Sequence, residues 1–132
     1  MTRFAIDAPT LIRIVSEGHA VSPEHQLLAP NTIRSHALDL LLEAVRREEM
    51  TETEALEIHE RITELKMRLL GDRVSRRVAW DLAREHGWRS VRQAEYLAVA
   101  QLQADVLVAG DPDLLEKAAG IIELAPLDEL VR

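Results

Sequence analysis

Cysteine is absent from the 132-residue chain, which rules out disulfides and thiolate metal sites. Aromatic residues make up only 3%, too few for a platform on which the bases of a single nucleic-acid strand would stack. No stretch approaches the roughly 20 apolar residues that a membrane-spanning helix needs. The opening residues Met1-Thr2-Arg3-Phe4 lack the apolar stretch of a signal peptide, so a cytoplasmic protein with no membrane contact is expected. There is no Gly-rich phosphate loop, and no Ser/His/Asp or Cys/His constellation stands out.

Apolar residues are plentiful, at 47%, and the length fits a single domain over residues 1–132 with one packed core. The net charge of −7 argues against a nucleic-acid binder, but the charge is unevenly spread. Residues 61–92 hold nine Lys/Arg against four acids, a balance of +5, which leaves −12 for the rest of the chain. That segment reads either as a local basic patch or as a solvated helical surface of mixed charge.

Short apolar runs alternate with helical patterns. Residues 3–7, 26–29, 105–109 and 121–124 read as strands, and Met67 to Leu70 is ambiguous, with a strand one reading. Helices are predicted over 9–17, 32–48, 51–66, 73–86, 91–103 and 112–118. Asn31 is the expected N-cap of the second, and Thr51 with Glu54 is a capping-box signature for the third. His19 and His25 fall in a loop, Trp80 reads as core or interface, and Trp88 as either of these or a base-stacking residue. Strands alternating with helices predict an α/β fold with a parallel sheet covered on both faces.

Two acids stand out in this frame. Val106-Leu107-Val108-Ala109-Gly110 runs into Asp111, and Phe4-Ala5-Ile6 runs into Asp7. Each acid then lies at a strand's carboxyl end, the edge where open α/β sheets bind ligands. Two such carboxylates could hold one metal ion. Each could equally cap a helix, since Asp7 precedes Ala8-Pro9 and Asp111 precedes Pro112-Asp113.

The order Ile6-Asp7, then Asn31-Thr32-Ile33-Arg34-Ser35-His36, then Gln93-Ala94-Glu95-Tyr96-Leu97-Ala98, then Leu107-Val108-Ala109-Gly110-Asp111 resembles a PIN domain of the VapC toxin type. The resemblance spans the whole chain. Proteins of that family are Mg²⁺- or Mn²⁺-dependent endoribonucleases of toxin–antitoxin pairs. They usually dimerise and are inhibited by a small antitoxin. The resemblance therefore implies a PIN-like three-layer fold with a parallel sheet of four or five strands, and a homodimer. It also implies a small antitoxin protein as partner, RNA as substrate, and a catalytic metal held by Asp7 and Asp111.

The family places acids at four positions, and only Asp7 and Asp111 match them here. His36 and Gln93 stand at the other two. A Gln carbonyl ligates without charge, and imidazole suits Mn²⁺ or Zn²⁺ better than Mg²⁺, so a weakened metal site is expected. Asp39, Glu95 and Asp113 are the acids that could supplement it. Arg73, Arg76, Arg77, Arg89 and Arg92 are the candidates for RNA contact. The loss of two acids also fits a non-catalytic PIN-fold module that binds RNA or a partner protein, and the negative charge would suit a structural dimer with no nucleic-acid role.

Overall fold

The two apolar runs that end in Asp lie side by side in one sheet, that of Asp7 in its interior and that of Asp111 at its edge. The computed structural model describes all 132 residues. Four strands, β1 (Thr2–Ile6), β2 (His25–Pro30), β3 (Arg68–Leu70) and β4 (Val106–Val108), pair in parallel in the order β3-β2-β1-β4. Six helices join them: α1 (Ala8–Ser16), α2 (Ile33–Arg46), α3 (Glu52–Glu64), α4 (Arg73–His86), α5 (Val91–Gln103) and α6 (Pro112–Ala118).

The strand order fixes the layers. From β1 to β2 to β3 the chain moves one way across the sheet, and right-handed crossovers put α1, α2 and α3 on one face. The return from β3 to β4 reverses direction, so α4 and α5 cover the other face. Between β1 and β4 the connections leave for opposite faces, which is the switch point where such sheets open a crevice. Ile6 pairs with Val108, so the turns that follow, Asp7 and Gly110-Asp111, come together at that point.

The core draws on both faces. Ile6, Leu28 and Leu107 in the strands, Leu11 and Ile14 in α1, Ile33 and Leu41 in α2, Ile62 in α3 and Leu97 in α5 are all buried. At roughly 1.5–3 kcal/mol for each large apolar side chain, this burial is the main term holding the layers together.

Several local expectations need correction. Residues 121–124 do not form a strand. Ile121 and Ile122 turn back through N–H bonds to the Ala118 carbonyl, Gly120 takes a left-handed conformation (φ 82°), and only Leu124 bridges to Leu107. Met67 to Leu70 resolves into β3. Asn31 does not cap α2. Its N–H bonds the Leu70 carbonyl, its side chain packs where a Cβ at Gly71 would fall, and Thr32 takes the cap position without a side-chain hydrogen bond. His25 opens β2 and meets the Phe4 ring edge-on at 4.7 Å, so it is not a loop residue. Trp80 is 57% exposed and does not belong to the core, whereas Trp88 is half-buried and stacks on His86. The capping box of α3 is present, with Thr51 and Glu54 satisfying each other's backbone N–H groups.

Candidate functional site

Asp7 is the most constrained polar residue at the sheet's carboxyl edge. It follows β1, caps α1, and is only 1% exposed. Its Oδ1 accepts the Thr10 N–H at 3.0 Å, as an N-cap should. Gly110 N–H lies 3.0 Å from both carboxylate oxygens, and Asp111 N–H donates to Oδ2 at 3.0 Å. A carboxylate offers about four lone-pair positions, and three N–H donors are directed at them. The Thr10 hydroxyl adds a bond to the Val108 carbonyl at 3.2 Å. The β1–α1 turn is thereby fastened to the β4–α6 turn. Gly110 suits the approach, because a Cβ there would meet the Pro9 ring at 3.1 Å.

Asp111 is half-buried and differently engaged. Its Oδ1 caps α6 through the Asp113 N–H at 3.0 Å, and its Oδ2 accepts the Gln93 side-chain amide at 3.0 Å. The other end of that amide, Gln93 Oε1, accepts from the Lys117 ammonium, which also donates to Asp113 Oδ2 at 2.8 Å. Lys117 Nζ sits 5.7 Å from the centre of the Trp88 ring as well, within cation–π range. The ammonium holds the Asp113 carboxyl below the usual carboxylate range. Gln93, Asp111 and Asp113 thus form one network closed by a cation that belongs to the chain. Lys117 escaped sequence reasoning, although its place four residues after Asp113 on one helix face was a legible signal.

A cleft of about 170 Å³ opens beside these turns, lined among others by Ser35, His36, Asp39, Arg92, Glu95 and Tyr96. His36 Nδ1 and the Tyr96 hydroxyl are 2.8 Å apart. Burial, with the Arg92 guanidinium, holds His36 below its ordinary pKa against the upward pull of Asp7, Asp39 and Asp111. Burial pushes the Tyr96 phenol up, so it stays protonated. A neutral imidazole then takes the phenol proton as a hydrogen bond.

Asp7, Asp111, Gln93 and Asp113 are therefore gathered at one point, and His36, Asp39, Glu95 and Arg92 line the adjoining cleft. Arg89 lies exposed just before α5. Arg73, Arg76 and Arg77 are exposed on α4, with Arg77 in a surface pair with Asp81 at 3.1 Å.

A divalent metal of the Mg²⁺ class needs a shell of oxygen ligands around it. No three of the His, Asp and Glu side chains lie close enough together to hold an ion. Both Asp7 oxygens already accept backbone N–H groups, Gln93 Oε1 faces an ammonium, and Asp113 Oδ2 is held by the same ammonium. This donor set does not fit such an ion.

An all-parallel α/β sheet with its polar residues at the switch point defines the fold class. No protein-family model matches the sequence, and no curated protein matches it. Among solved structures, the fold is similar to that of PAE2754 from Pyrobaculum aerophilum, with a TM-score of 0.67 at 20% identity over 92% of this chain and 90% of that one. The likeness establishes the shared three-layer architecture.

Proposed function

We propose that this chain is a PIN-like protein of the VapC type whose acidic edge has become a structural junction, and that it acts as a non-catalytic binding module. One observation carries this reading: the Asp7 carboxylate, first metal ligand by the family resemblance, spends both oxygens on backbone N–H groups. The Lys117 ammonium on Gln93 and Asp113 supports it, since a cation already neutralises the neighbouring acids.

A protein fits this module better than RNA as the partner. Leu38, Leu42, Leu56 and Trp80 are exposed apolar side chains on helix surfaces, which a protein interface would cover.

Calorimetry with Mn²⁺ and Mg²⁺, beside an RNA-cleavage assay, tests the reading. The native chain should give no binding heat and no cleavage. The Gln93→Asp, Lys117→Met double variant should gain Mn²⁺ affinity by about tenfold or more, because a carboxylate is added and an ammonium removed. Cleavage of RNA by the native chain in Mn²⁺, abolished by Asp7→Asn, would overturn it.

A further inference from the structure

The outer faces of α3 and α4 carry charge of opposite predominant sign around one large apolar residue each. On α3, Ala55, Ile58 and Ile62 face the core. The solvent side repeats every fourth residue as Glu52, Leu56, Glu60 and Glu64, and Leu56 is 56% exposed. On α4, Ser75, Ala79, Leu82 and Ala83 face inward. The solvent side reads Arg73, Arg77, Trp80 and Arg84, with Arg76 beside them and the exposed acids Asp81 and Glu85 along one flank, and Trp80 is 57% exposed. Residues three and four apart share a helix face, so each set forms one stripe. The acidic stripe is about 18 Å long and the basic stripe about 16.5 Å, at roughly 1.5 Å per residue.

Most charges of the two stripes have no ion-pair partner within the chain. Arg73, Arg76 and Arg84 make no ion pair, and neither do Glu52, Glu60 and Glu64; of these stripes only Arg77 has a partner, Asp81. Each stripe also has a large apolar residue between its charges. An apolar centre with a charged rim is how protein interfaces are built, and Trp and Arg are the residue types that most often carry their binding energy. The sheet topology sets α3 and α4 on opposite faces of the molecule, so the two stripes of one copy cannot meet each other.

We infer that the α4 stripe docks the α3 stripe of a second copy of this chain, with Trp80 against Leu56 and the arginines over the glutamates. This rests on the reading of the chain as a protein-binding module, and it names the partner. Because the two faces differ, the contact is head-to-tail, and association can continue beyond two copies.

The test is mass in solution, by sedimentation or light scattering over about 1–200 µM. This readout is blind to metal and to cleavage, so its failure is distinct from failure of the proposed function. At low salt the average mass should rise with concentration above the 14.9 kDa of one copy. Raising salt from about 50 to 500 mM should weaken association about tenfold or more, since exposed charges are screened. Arg77→Glu with Arg84→Glu cancels the charge of the α4 stripe, and Glu60→Arg with Glu64→Arg makes both stripes basic. Each variant alone should stay a single copy, while an equimolar mixture should associate again. Trp80→Ser, which changes no charge, should also weaken association. A native chain that stays single across the range, or charge variants that fail to restore each other, would overturn the inference. So would binding of a single-stranded RNA that depends on Arg77 and Arg84 while the protein alone stays a single copy.

Discussion

The turns after β1 and β4 begin from nearly the same sequence and end in different physical states. Each has a short apolar strand, an Asp and a Pro that opens a helix, and in each the Asp accepts an N–H of its own first turn. There the likeness stops. Asp7 is buried and holds backbone N–H groups from the other turn, whereas Asp111 is half-buried and holds a side chain, Gln93, which in turn meets Lys117. One acid locks backbone to backbone. The other sits in a network of side chains. A shared local motif thus sets the cap, and the depth of the site sets everything else the carboxylate does.

The largest effect should come from the buried member of the pair. Asp7→Ala leaves the Thr10, Gly110 and Asp111 N–H groups without their acceptor, and should cost on the order of 3 kcal/mol or more in chemical denaturation. Asp7→Asn should not rescue it, because the amide nitrogen would have to face a backbone N–H. If Asp7→Ala costs no more than an exposed cap, the contrast between the turns fails. Asp111→Ala should cost about 1 kcal/mol, the ordinary value of a lost N-cap, in the same denaturation experiment.

The smallest effect concerns the cleft beside both turns. His36 has its pKa lowered on folding, so the unfolded chain binds its proton more readily than the native one. Its contribution to stability is complete above the unfolded value of roughly 6.5 and is lost as pH falls through the lower folded value. Thermal melts at about pH 7.5 and 5.5 should therefore show an acid loss that His36→Gln reduces. An NMR titration midpoint for His36 above roughly 6.5 would mean that Asp7 and Asp111 outweigh burial and Arg92.

Much of this was legible in the chain. The β1 and β4 runs, the Asp-Pro helix starts, the α3 capping box and the parallel α/β arrangement all rest on patterns within a few residues, where the period of the apolar positions and the cap chemistry act directly. The expected strand at 121–124 went wrong where Ile121 and Ile122 turn back to Ala118, and the Asn31 cap where its side chain packs against Gly71 instead. The gathering of Asp7, Asp111 and Gln93 could be anticipated from strand ends and the family resemblance. Their engagement could not, because it depends on which donors arrive.

The sequence by itself determined the helices, the two capping acids and the apolar runs those acids follow, since the apolar period and the cap chemistry act within a few residues. The tertiary structure alone decided what those acids can still bind. Gly110 N–H reaches Asp7 across 103 residues, and Lys117 reaches Gln93 across 24. Such bonds form only once the sheet has brought β1 and β4 together. A buried carboxylate takes whatever N–H groups that closure supplies, because leaving either partner unpaired out of water costs more than the bond itself is worth.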